Sequence, residues 1–409
     1  MKKGRLVKRS IGIALILLFA AACLVAVFNK DSNAAPPKKV KIGVLNCLTS
    51  WYAGHDIPNW NEVQAVGEMI NERGGITVKG EKYQVELLVE DGKSTLDGVT
   101  AAANRLVFDK DVKVILGPGG PFPPAAGTVT NPNKVIDILN YCLCQPGEID
   151  KTTPYSFLGG DGSIESFYGT IKYLKKLYPK VKRVVLTNAD DGSLPYLVPL
   201  FKKALQDEGL ILAADLVPYS NDTQDFSPIS ARLNAAKDVD AVILCTGMAT
   251  HFGSIVKGLR ELGNQKPYFV SCGSNLQDIL SVAGKEGAKN VFVHAPSLYA
   301  ADNTPLMNEL GKKLIAKHGA DIPFWCHDAN SLWVVKQVIE AANSFDPTAI
   351  KNKWETMDRV ATLYGPGRIG GDVTYGIKHH AVGTRVPFQA LKDGKVASAG
   401  YSPGEVLVP

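Results

Sequence analysis

The sequence has no excess of one charge outside its first 34 residues. The whole chain carries 45 Lys and Arg against 40 Asp and Glu, a formal net charge of +5. Six basic residues and one acidic residue precede residue 35, and subtracting them leaves 39 of each sign. Binding to a nucleic-acid backbone needs a basic surface, so this balance argues against nucleic acid as a partner.

Several signatures of catalysis and cofactor binding are missing. The chain contains no HExxH zinc-protease motif. The strand-to-helix passage Leu116–Pro121 (LGPGGP) has no Lys-Ser/Thr and no GxGxxG spacing, which excludes a standard nucleotide loop. The cysteines do not form two pairs with zinc spacing, since Cys142 and Cys144 have no matching second pair. We therefore predict no catalytic residue, no metal site and no cofactor.

What the N-terminus does have is the pattern of an export signal. Five basic residues precede the uncharged run Ile11–Phe28, and small residues follow at Ser32 and Ala34. This predicts a signal peptide over residues 1–34, cut after Ala34. A retained transmembrane anchor and lipidation at Cys23 are the alternatives. All three place the body outside the cytoplasm, and we predict a periplasmic protein.

Export permits disulfides among the six cysteines that follow Cys23, but it does not assign them. Several of these cysteines end apolar runs, as Cys245 and Cys272 do, where a free thiol is a common small core residue. We predict mostly free thiols, with one bridge left open.

The body alternates between short apolar strands and amphipathic helices. Val40–Asn46 is a β-rich apolar run, and residues 58–73 carry apolar positions at helical spacing up to Gly74 and Gly75. Further strands are predicted at Tyr83–Glu90, Val112–Leu116, Lys134–Asn140, Arg183–Thr187, Leu210–Val217, Ala241–Leu244, Tyr268–Ser271 and Val291–Val293. Such alternation predicts an α/β fold with parallel sheets covered on both faces.

Two of these strand-helix series follow each other and predict two Rossmann-like lobes. The Gly-rich passage Phe157–Gly162 and the region of Pro296 are candidate crossings between them, and Gly365–Val396 has β-hairpin character. Because ligands of open parallel sheets lie beyond the carboxyl ends of the strands, the loops after the strands are the candidate site.

Three of those loops carry distinctive residues. Gly119, Gly120 and Phe122 have backbone N–H groups that suit an anion, although a tight turn would use the same glycines. Cys142 and Cys144 share one face, where they line a pocket, bind a soft metal or pack. The aromatic loop Trp51–His55 suggests a stacking surface, with a hydrophobic loop anchor as the alternative.

Catalytic interpretations of other clusters are weaker. Cys326, His327 and Asp328 are adjacent in sequence, and neighbours of this kind do not face each other on a helix or a strand. The His379-His380 pair lies in a polar, turn-like stretch and is predicted to be solvated. Asp190-Asp191 follows a strand and is predicted to cap the next helix.

Four passages together resemble the type I periplasmic solute-binding proteins of the branched-chain amino acid class, which serve ABC importers. These passages are VKIGVLNCLTSWYAG (40–54), EMINERGGI (68–76), NDTQDFSPISARLNAAKDVDAVIL (221–244), and the hairpin segments 370–383 and 388–396. The resemblance implies two lobes joined by three hinge crossings. Lobe 1 is predicted to comprise 35–159 with 296–363, and lobe 2 to comprise 160–295 with 364–409.

The same resemblance implies where a ligand binds. The family loops that clamp an amino acid fall on Gly119, Gly120 and Pro121, and on Cys142 and Cys144, in place of the usual serine and threonine. The acidic residue that holds an ammonium group falls near Gly273 or Ser274. The predicted ligand-binding residues are Trp51, His55, Gly119, Gly120, Phe122, Tyr141, Cys142, Leu143, Cys144, Gln145, Asp191, Gly192, Met248, Thr250, Gly273 and Ser274.

The resemblance thus implies a solute-binding component of an ABC importer, with a small-molecule ligand and a membrane permease as partners. Loss of the usual ammonium site favours a small carboxylate or an aromatic acid over an amino-acid-like ligand. A sensor domain that signals to a membrane partner and an exported α/β enzyme are the alternatives.

Overall fold

The computed structural model describes residues 36–409, so the predicted signal peptide, its cleavage point and Cys23 lie outside the described residues. The strands of this part are β1 (Lys39–Asn46), β2 (Ile76–Val78), β3 (Glu81–Asp91), β4 (Val114–Leu116), β5 (Ile136–Leu139), β6 (Ser156–Leu158), β7 (Arg183–Asp190), β8 (Ile211–Leu212), β9 (Val217–Ser220), β10 (Ala241–Leu244), β11 (Tyr268–Val270), β12 (Val291–His294), β13 (Arg359–Thr362), β14 (Gly365–Gly370), β15 (Ala381–Gly383), β16 (Pro387–Lys392) and β17 (Lys395–Tyr401).

The α-helices of the same residues are α1 (Ala53–Glu72), α2 (Leu96–Asn104), α3 (Pro123–Thr130), α4 (Ser163–Leu177), α5 (Leu194–Asp207), α6 (Ser227–Ala235), α7 (Ala249–Glu261), α8 (Leu276–Gly287), α9 (Pro305–His318), α10 (His327–Ala342), α11 (Pro347–Trp354) and α12 (Asp372–Tyr375). A π-helical turn, Arg105–Asp109, continues α2. Within residues 36–409, no helix combines the length and apolar character needed to cross a membrane.

The strands form two sheets, as the sequence predicts. The first has the order β13-β14-β15-β6-β5-β4-β1-β3-β2, and the second has the order β17-β16-β12-β11-β10-β7-β8, with β9 also paired to β7. The central strands are parallel; for example, Gly43 of β1 lies opposite Leu88 of β3 and Ile115 of β4. Antiparallel strands close the edges, so each sheet is mixed rather than wholly parallel.

Each sheet is buried on both faces, which explains its near-continuous apolar strands. One face of the first sheet packs on residues of α1, α9, α10 and α11, and the other on α2 and α3. In the second sheet, α4 and α5 cover one face and α6, α7 and α8 cover the other. The two-lobed α/β fold predicted from the sequence is therefore present.

The chain passes between the sheets three times. It leaves β6 for α4 through 159–162, returns from β12 to α9 through 295–304, and passes from β15 to β16 through 384–386. The predicted lobe limits placed all of 364–409 in lobe 2. However, β14 and β15 hydrogen-bond within the first sheet. The chain therefore leaves the first sheet at 384–386, about twenty residues after the predicted boundary at residue 364.

Two local expectations differ from the structure. Helix α1 begins at Ala53 rather than near residue 58, so His55 and Asp56 lie in its first turn, where a carboxylate complements the helix dipole. His380 is buried rather than solvated. Its ring stacks on Phe157 at 4.2 Å, Nδ1 lies 2.7 Å from the Ser156 carbonyl oxygen, and Nε2 lies 3.1 Å from Glu355.

The six cysteines of the described chain are all free thiols. Cys47, Cys142, Cys245, Cys272 and Cys326 are buried, and burial raises the pKa of each. A buried thiol with a raised pKa stays protonated and behaves as a small apolar side chain. The prediction of free core thiols is confirmed for these positions.

Candidate functional site

The carboxyl ends of the two parallel sheets approach each other. A Cβ atom added at Gly273, just after β11, would lie 3.4 Å from Cε1 of His327, at the start of α10. Tyr141 follows β5 of the first sheet, yet it packs in a hydrophobic cluster of the second sheet. We call the place where these ends meet the interlobe cleft. Ring contacts, close approaches and electrostatic interactions bring together there the residues Tyr52, His55, Tyr141, Asp161, Asp191, Tyr219, Cys272, Gly273, His294, Trp325 and His327.

Aromatic rings form the lobe 1 wall of the interlobe cleft. The His55 ring stacks on Trp325 with centroids 5.6 Å apart, and it lies 5.6 Å from the His327 ring. Tyr141 also stacks on His327, with centroids 5.6 Å apart, and the Tyr52 ring lies 4.9 Å from that of His55. The predicted stacking surface therefore extends well beyond the loop that suggested it.

A buried carboxylate on α1 fixes the segment that carries Trp325 and His327. Glu62 is fully buried and accepts hydrogen bonds from the backbone N–H groups of Trp325 (2.8 Å) and Cys326 (2.5 Å). Burial raises the pKa of Glu62 to about 8, although the two N–H donors act in the opposite direction. Cys326 has a positive φ of 67°, a conformation that such anchoring helps to maintain.

Two further buried carboxylates, Asp56 and Asp328, lie close to the His55 ring. Asp56 accepts a hydrogen bond from the Cys47 N–H at 2.6 Å and lies 2.9 Å from Nδ1 of His55. Asp328 accepts a hydrogen bond from the Asn46 amide at 2.9 Å through Oδ2. Burial raises the pKa of Asp328 to about 7, and the neighbouring Asp56 charge adds to this shift.

An ion pair joins two of the segments that connect the lobes. Asp161, in the first crossing, lies 3.0 Å from Nε2 of His294 at the end of β12, and both side chains are buried. Ser166 donates a further hydrogen bond to Asp161 at 3.0 Å. Burial alone would raise the pKa of Asp161, but the interactions with His294, aided by the hydrogen bond from Ser166, outweigh it and the net shift is downward.

His327 is held neutral by its surroundings. Burial lowers the pKa of His327 to about 3, and the neighbouring His55 and His294 rings add to that shift against the opposing Asp161 charge. A neutral imidazole offers one donor and one acceptor nitrogen to a neighbour or a ligand.

Many polar atoms around the interlobe cleft are buried without a hydrogen-bond partner in the protein. They are Tyr141 Oη, Ser163 Oγ, Tyr219 Oη, Thr246 Oγ1, Ser274 Oγ, Trp325 Nε1, His327 Nδ1 and Asp328 Oδ1. A buried polar group left unpaired costs about 1–3 kcal/mol, and most native structures contain only a few such groups. Their concentration between the sheets indicates a place where a polar molecule supplies the missing partners.

The structure brings several of the predicted site residues to the interlobe cleft. His55, Tyr141 and Gly273 contribute to its walls, and the Ser274 side chain is buried beside it. Asp191 interacts electrostatically with Tyr52 of lobe 1 and Tyr219 of lobe 2. Asp191 also accepts hydrogen bonds from the N–H and hydroxyl of Ser193, the residue before α5, as a helix cap would.

Gly120 and Phe122 pack against Tyr52 of the lobe 1 wall, and Gly119 packs against Asn140 of the neighbouring loop. A Cβ at Gly119 would overlap Oδ1 of Asn140, and one at Gly120 would come within 2.8 Å of the Tyr52 hydroxyl. Phe122 lies 5.5 Å from the Tyr52 ring and 5.8 Å from the Trp51 ring. Glycine is required at 119 for this close approach of the two loops.

The loop that follows β5 turns away after Tyr141. Cys142 directs its sulfur to Glu148 at 2.9 Å, while the N–H groups of Leu143 and Gln145 donate to the same carboxylate. Cys142 belongs to a core cluster of the second sheet, and the Cys144 N–H lies 3.3 Å from its sulfur. Of the alternatives for this cysteine pair, the structure shows packing. Among residues 36–409, no group of three or more His, Cys, Asp or Glu is placed to hold a metal ion.

Four predicted residues lie on exposed parts of the loops. Trp51 is 66% exposed and Met248 is 49% exposed, and Gly192 and Thr250 are also exposed. Trp51 donates a hydrogen bond from Nε1 to the Ser94 carbonyl at 3.2 Å, which favours the loop-anchor interpretation. A role for these four residues in ligand binding stays a prediction.

Sequence reasoning missed Trp325, His327, Asp328, Asp161 and His294 as members of this site. Cys326, His327 and Asp328 were set aside because neighbours in sequence do not face each other. That argument holds for a catalytic pair, but side chains that point in different directions can still line one cavity. Two signals were available: His294 directly follows the predicted strand Val291–Val293, at the sheet edge where ligands bind, and Asp161 lies in the predicted crossing Phe157–Gly162.

The buried acids predict that stability falls as the pH rises above neutral. Burial raises the pKa of Glu62 to about 8 and that of Asp137, Glu148, Glu165 and Asp328 to about 7, above ordinary values of 4.5 for Glu and 3.8 for Asp. Between the ordinary and the raised pKa, the unfolded chain has released protons that the folded protein keeps. Stability therefore decreases with rising pH across that window, up to about pH 8.

His327 affects stability in the opposite direction, and only below pH 6.5, because there the unfolded chain binds a proton at this residue and the folded protein does not. We therefore expect Tm to fall by roughly 5 °C between pH 6.5 and 8.5, since each kcal/mol is worth about 2–4 °C. Thermal unfolding at both pH values measures the fall, and Glu62→Gln should reduce it. A Tm that rises over this interval would contradict the prediction.

Comparison with known proteins identifies the fold. A family model described as periplasmic binding protein matches residues 39–395. A leucine-binding protein, LivK, from Thermotoga maritima superposes with a TM-score of 0.67 at 20% identity, covering 89% of this chain and 98% of that one. LivJ from Streptococcus pneumoniae, solved with isoleucine, gives 0.68 at 20% identity, covering 89% and 99%. A solute-binding protein from Rhodopseudomonas palustris, solved with benzoate, gives 0.64 at 14% identity, covering 90% and 97%.

At these identities the structural likeness shows the fold, and the family match covers most of the chain. The resemblance predicted from the sequence is therefore confirmed by the family match and by the structural likeness. This chain belongs to the periplasmic binding protein family and has the two-lobed fold of its type I members.

Proposed function

We propose that this protein is the extracytoplasmic solute-binding component of an ABC importer. It captures a small organic solute in the interlobe cleft by closing the two lobes about their three crossings, and it delivers the solute unchanged to a membrane permease. The observation that carries the proposal is the set of buried polar atoms without partners between the sheets, including Tyr141 Oη, Tyr219 Oη and Trp325 Nε1.

Three features support capture rather than chemistry. The walls of the interlobe cleft come from both lobes, so closing them would enclose a ligand and opening them would release it. The aromatic rings at Tyr52, His55 and Trp325 provide apolar contact area, as expected for a small-molecule site with a few polar groups. The family itself consists of solute-binding proteins, and the export pattern of the sequence places the cleft outside the cytoplasm.

Native mass spectrometry of the purified protein tests the proposal. We expect a non-covalent mass adduct that disappears under denaturing conditions, because closed binding proteins can retain their solute through purification. After removal of the solute, adding it back should raise Tm and contract the particle in small-angle scattering. Recovery of a chemically altered product after incubation with the solute would contradict a transport role.

A further inference from the structure

The charges carried by the loops of the interlobe cleft are almost all of one sign. The segments considered are those after the central strands together with the segment before α10, namely 47–57, 117–123, 140–148, 159–163, 191–195, 245–250, 271–276, 294–297 and 324–328. They contain Asp56, Glu148, Asp161, Asp191 and Asp328 but no Lys and no Arg. Two cations lie outside these segments: Lys93, which follows β3, is exposed, and Arg385 of the third crossing donates to the Tyr364 carbonyl oxygen and lies over the Tyr401 ring.

Three of the five acids already have partners that compensate them. Glu148 is enclosed by the Cys142 thiol and the N–H groups of Leu143 and Gln145. Asp56 accepts from the Cys47 N–H and lies beside His55, and Asp161 forms the ion pair with His294. These acids are explained by the structure of the loops themselves.

Asp328 and Asp191 are different. Asp328 is fully buried, and Asn46 donates a hydrogen bond to its Oδ2 while Oδ1 has no hydrogen-bond partner. The Asn140 amide and the His55 ring are also close enough to favour its charged form, but burial outweighs them. Asp191 receives both of its hydrogen bonds, from the Ser193 N–H and hydroxyl, on Oδ1 alone. Each aspartate therefore has an oxygen that receives no hydrogen bond from the protein. Asp328 is fully buried, where a carboxylate without a counter-charge is costly, whereas Asp191 is only partly buried.

The groups around Asp191 come from both lobes. Burial raises the pKa of Tyr52 well above its usual range, and the Asp56, Asp328 and Asp191 charges add to the shift. Burial also raises the pKa of Tyr219, with smaller contributions that include Asp191. Tyr219 is 4% exposed, and its hydroxyl has no hydrogen-bond partner in the protein. This buried, unpaired hydroxyl is a second and independent observation that points to a ligand here.

The aromatic wall favours the same sign of ligand charge. The π faces of Tyr and Trp rings are electron-rich, and they attract a cation placed over them. Tyr52 and Trp325 present such rings, with centroids 4.9 Å and 5.6 Å from that of His55. An anionic ligand would be buried against these faces and the two aspartates with no Lys or Arg to balance it.

We propose that the ligand captured by the interlobe cleft is a small organic cation, whose ammonium, amidinium or quaternary nitrogen lies near Asp191 and Asp328 and against the aromatic wall. This inference rests on the proposed function, since it names the class of solute. It departs from the carboxylate that the sequence favoured, because that choice rested on the absence of the family's usual ammonium site at the two clamp loops and near Gly273 or Ser274. The acids that the structure assigns come instead from α10 and from the loop after β7.

Benzylamine and benzoate test the sign of the charge, because they share a ring and differ in the charge of their substituent. Both are titrated into the solute-free, full-length protein by calorimetry at low salt, with benzamidine as a second cation and leucine as a zwitterion. We expect binding of a cationic probe at least about tenfold tighter than that of benzoate. Asp191→Asn and Asp328→Asn should each weaken cation binding about tenfold or more. Asp222→Asn, an exposed aspartate of the same lobe as Asp191, should have no effect.

Three results would overturn the inference, and they are distinguishable from failure of the proposed function. Benzoate binding more tightly than either cation, or cation binding unchanged in Asp191→Asn, would refute the cation while leaving solute capture in place. The same holds if the solute identified by native mass spectrometry is an acid without a cationic nitrogen. If no solute co-purifies and no probe binds or changes the scattering profile, solute capture fails together with the inference.

Discussion

Replacing Gly273 with tryptophan is expected to lower ligand affinity by at least about 100-fold, equivalent to about 2.7 kcal/mol. A Cβ at this position would lie 3.4 Å from Cε1 and 3.5 Å from Nε2 of His327, and 3.9 Å from Trp325. An indole attached there occupies the space in which the loop after β11 meets the lobe 1 wall. The lobes of the variant would then stay apart, and the ligand would contact one lobe at a time.

Gly273→Ala is the matched control. Its methyl group would make ordinary van der Waals contact with His327, and the backbone at 273 is not in the left-handed region. We expect near-normal affinity for this variant and an unchanged Tm of the ligand-free protein for both. Calorimetric titration of the co-purified solute gives the affinity, and small-angle scattering shows whether the solute still contracts the particle. Wild-type affinity in Gly273→Trp would refute closure at this contact.

Replacing Glu62 with alanine is expected to destabilise the protein by about 3–5 kcal/mol. The change leaves the buried N–H groups of Trp325 and Cys326 without an acceptor, at about 1–3 kcal/mol each, and removes packed side-chain volume. It also releases the segment that places Trp325 and His327 against His55. Denaturant unfolding measures the loss, and ligand affinity should fall with it.

Glu62→Gln separates the hydrogen bonds from the charge. Its amide oxygen can still accept one of the two N–H groups, so its loss of stability should be less than half that of Glu62→Ala. The raised pKa of Glu62, about 8, implies that a neutral side chain is already favoured at neutral pH. Equal stability of Glu62→Ala and the wild-type protein would show that the segment before α10 is held by other contacts.

The core of each lobe could be predicted from local sequence. Strand β1 contains Ile42, Val44 and Leu45, all fully buried, and a β-rich apolar run of this kind has few alternatives to a central strand. Edge elements were harder, because β14 and β15 are short and glycine-rich, and nothing in such strands specifies which of two sheets they join. Their pairing depends on β6, which is more than two hundred residues earlier in the chain.

The site could be predicted only in part. His55, Tyr141 and Gly273 follow strands, and the rule that ligands bind beyond strand ends found them. Trp325 and His327 follow no strand; they precede α10 and reach the site because Glu62 of α1 holds their backbone. Cys142 shows the reverse case, since its position after β5 was right but Glu148 turns its sulfur into the core.

The sequence by itself determined the family, the two-lobed α/β plan and the strand ends at which a solute would bind, because hydrophobic periodicity and strand-helix order are local properties. Only the tertiary structure decided which side chains converge and what net charge they present. The pairing of Asp161 with His294, and the one free oxygen of the buried Asp328, arise from contacts between segments far apart in the chain. Electrostatic balance depends on distance in space, and distances across a closing cleft are fixed by packing that no stretch of sequence contains alone.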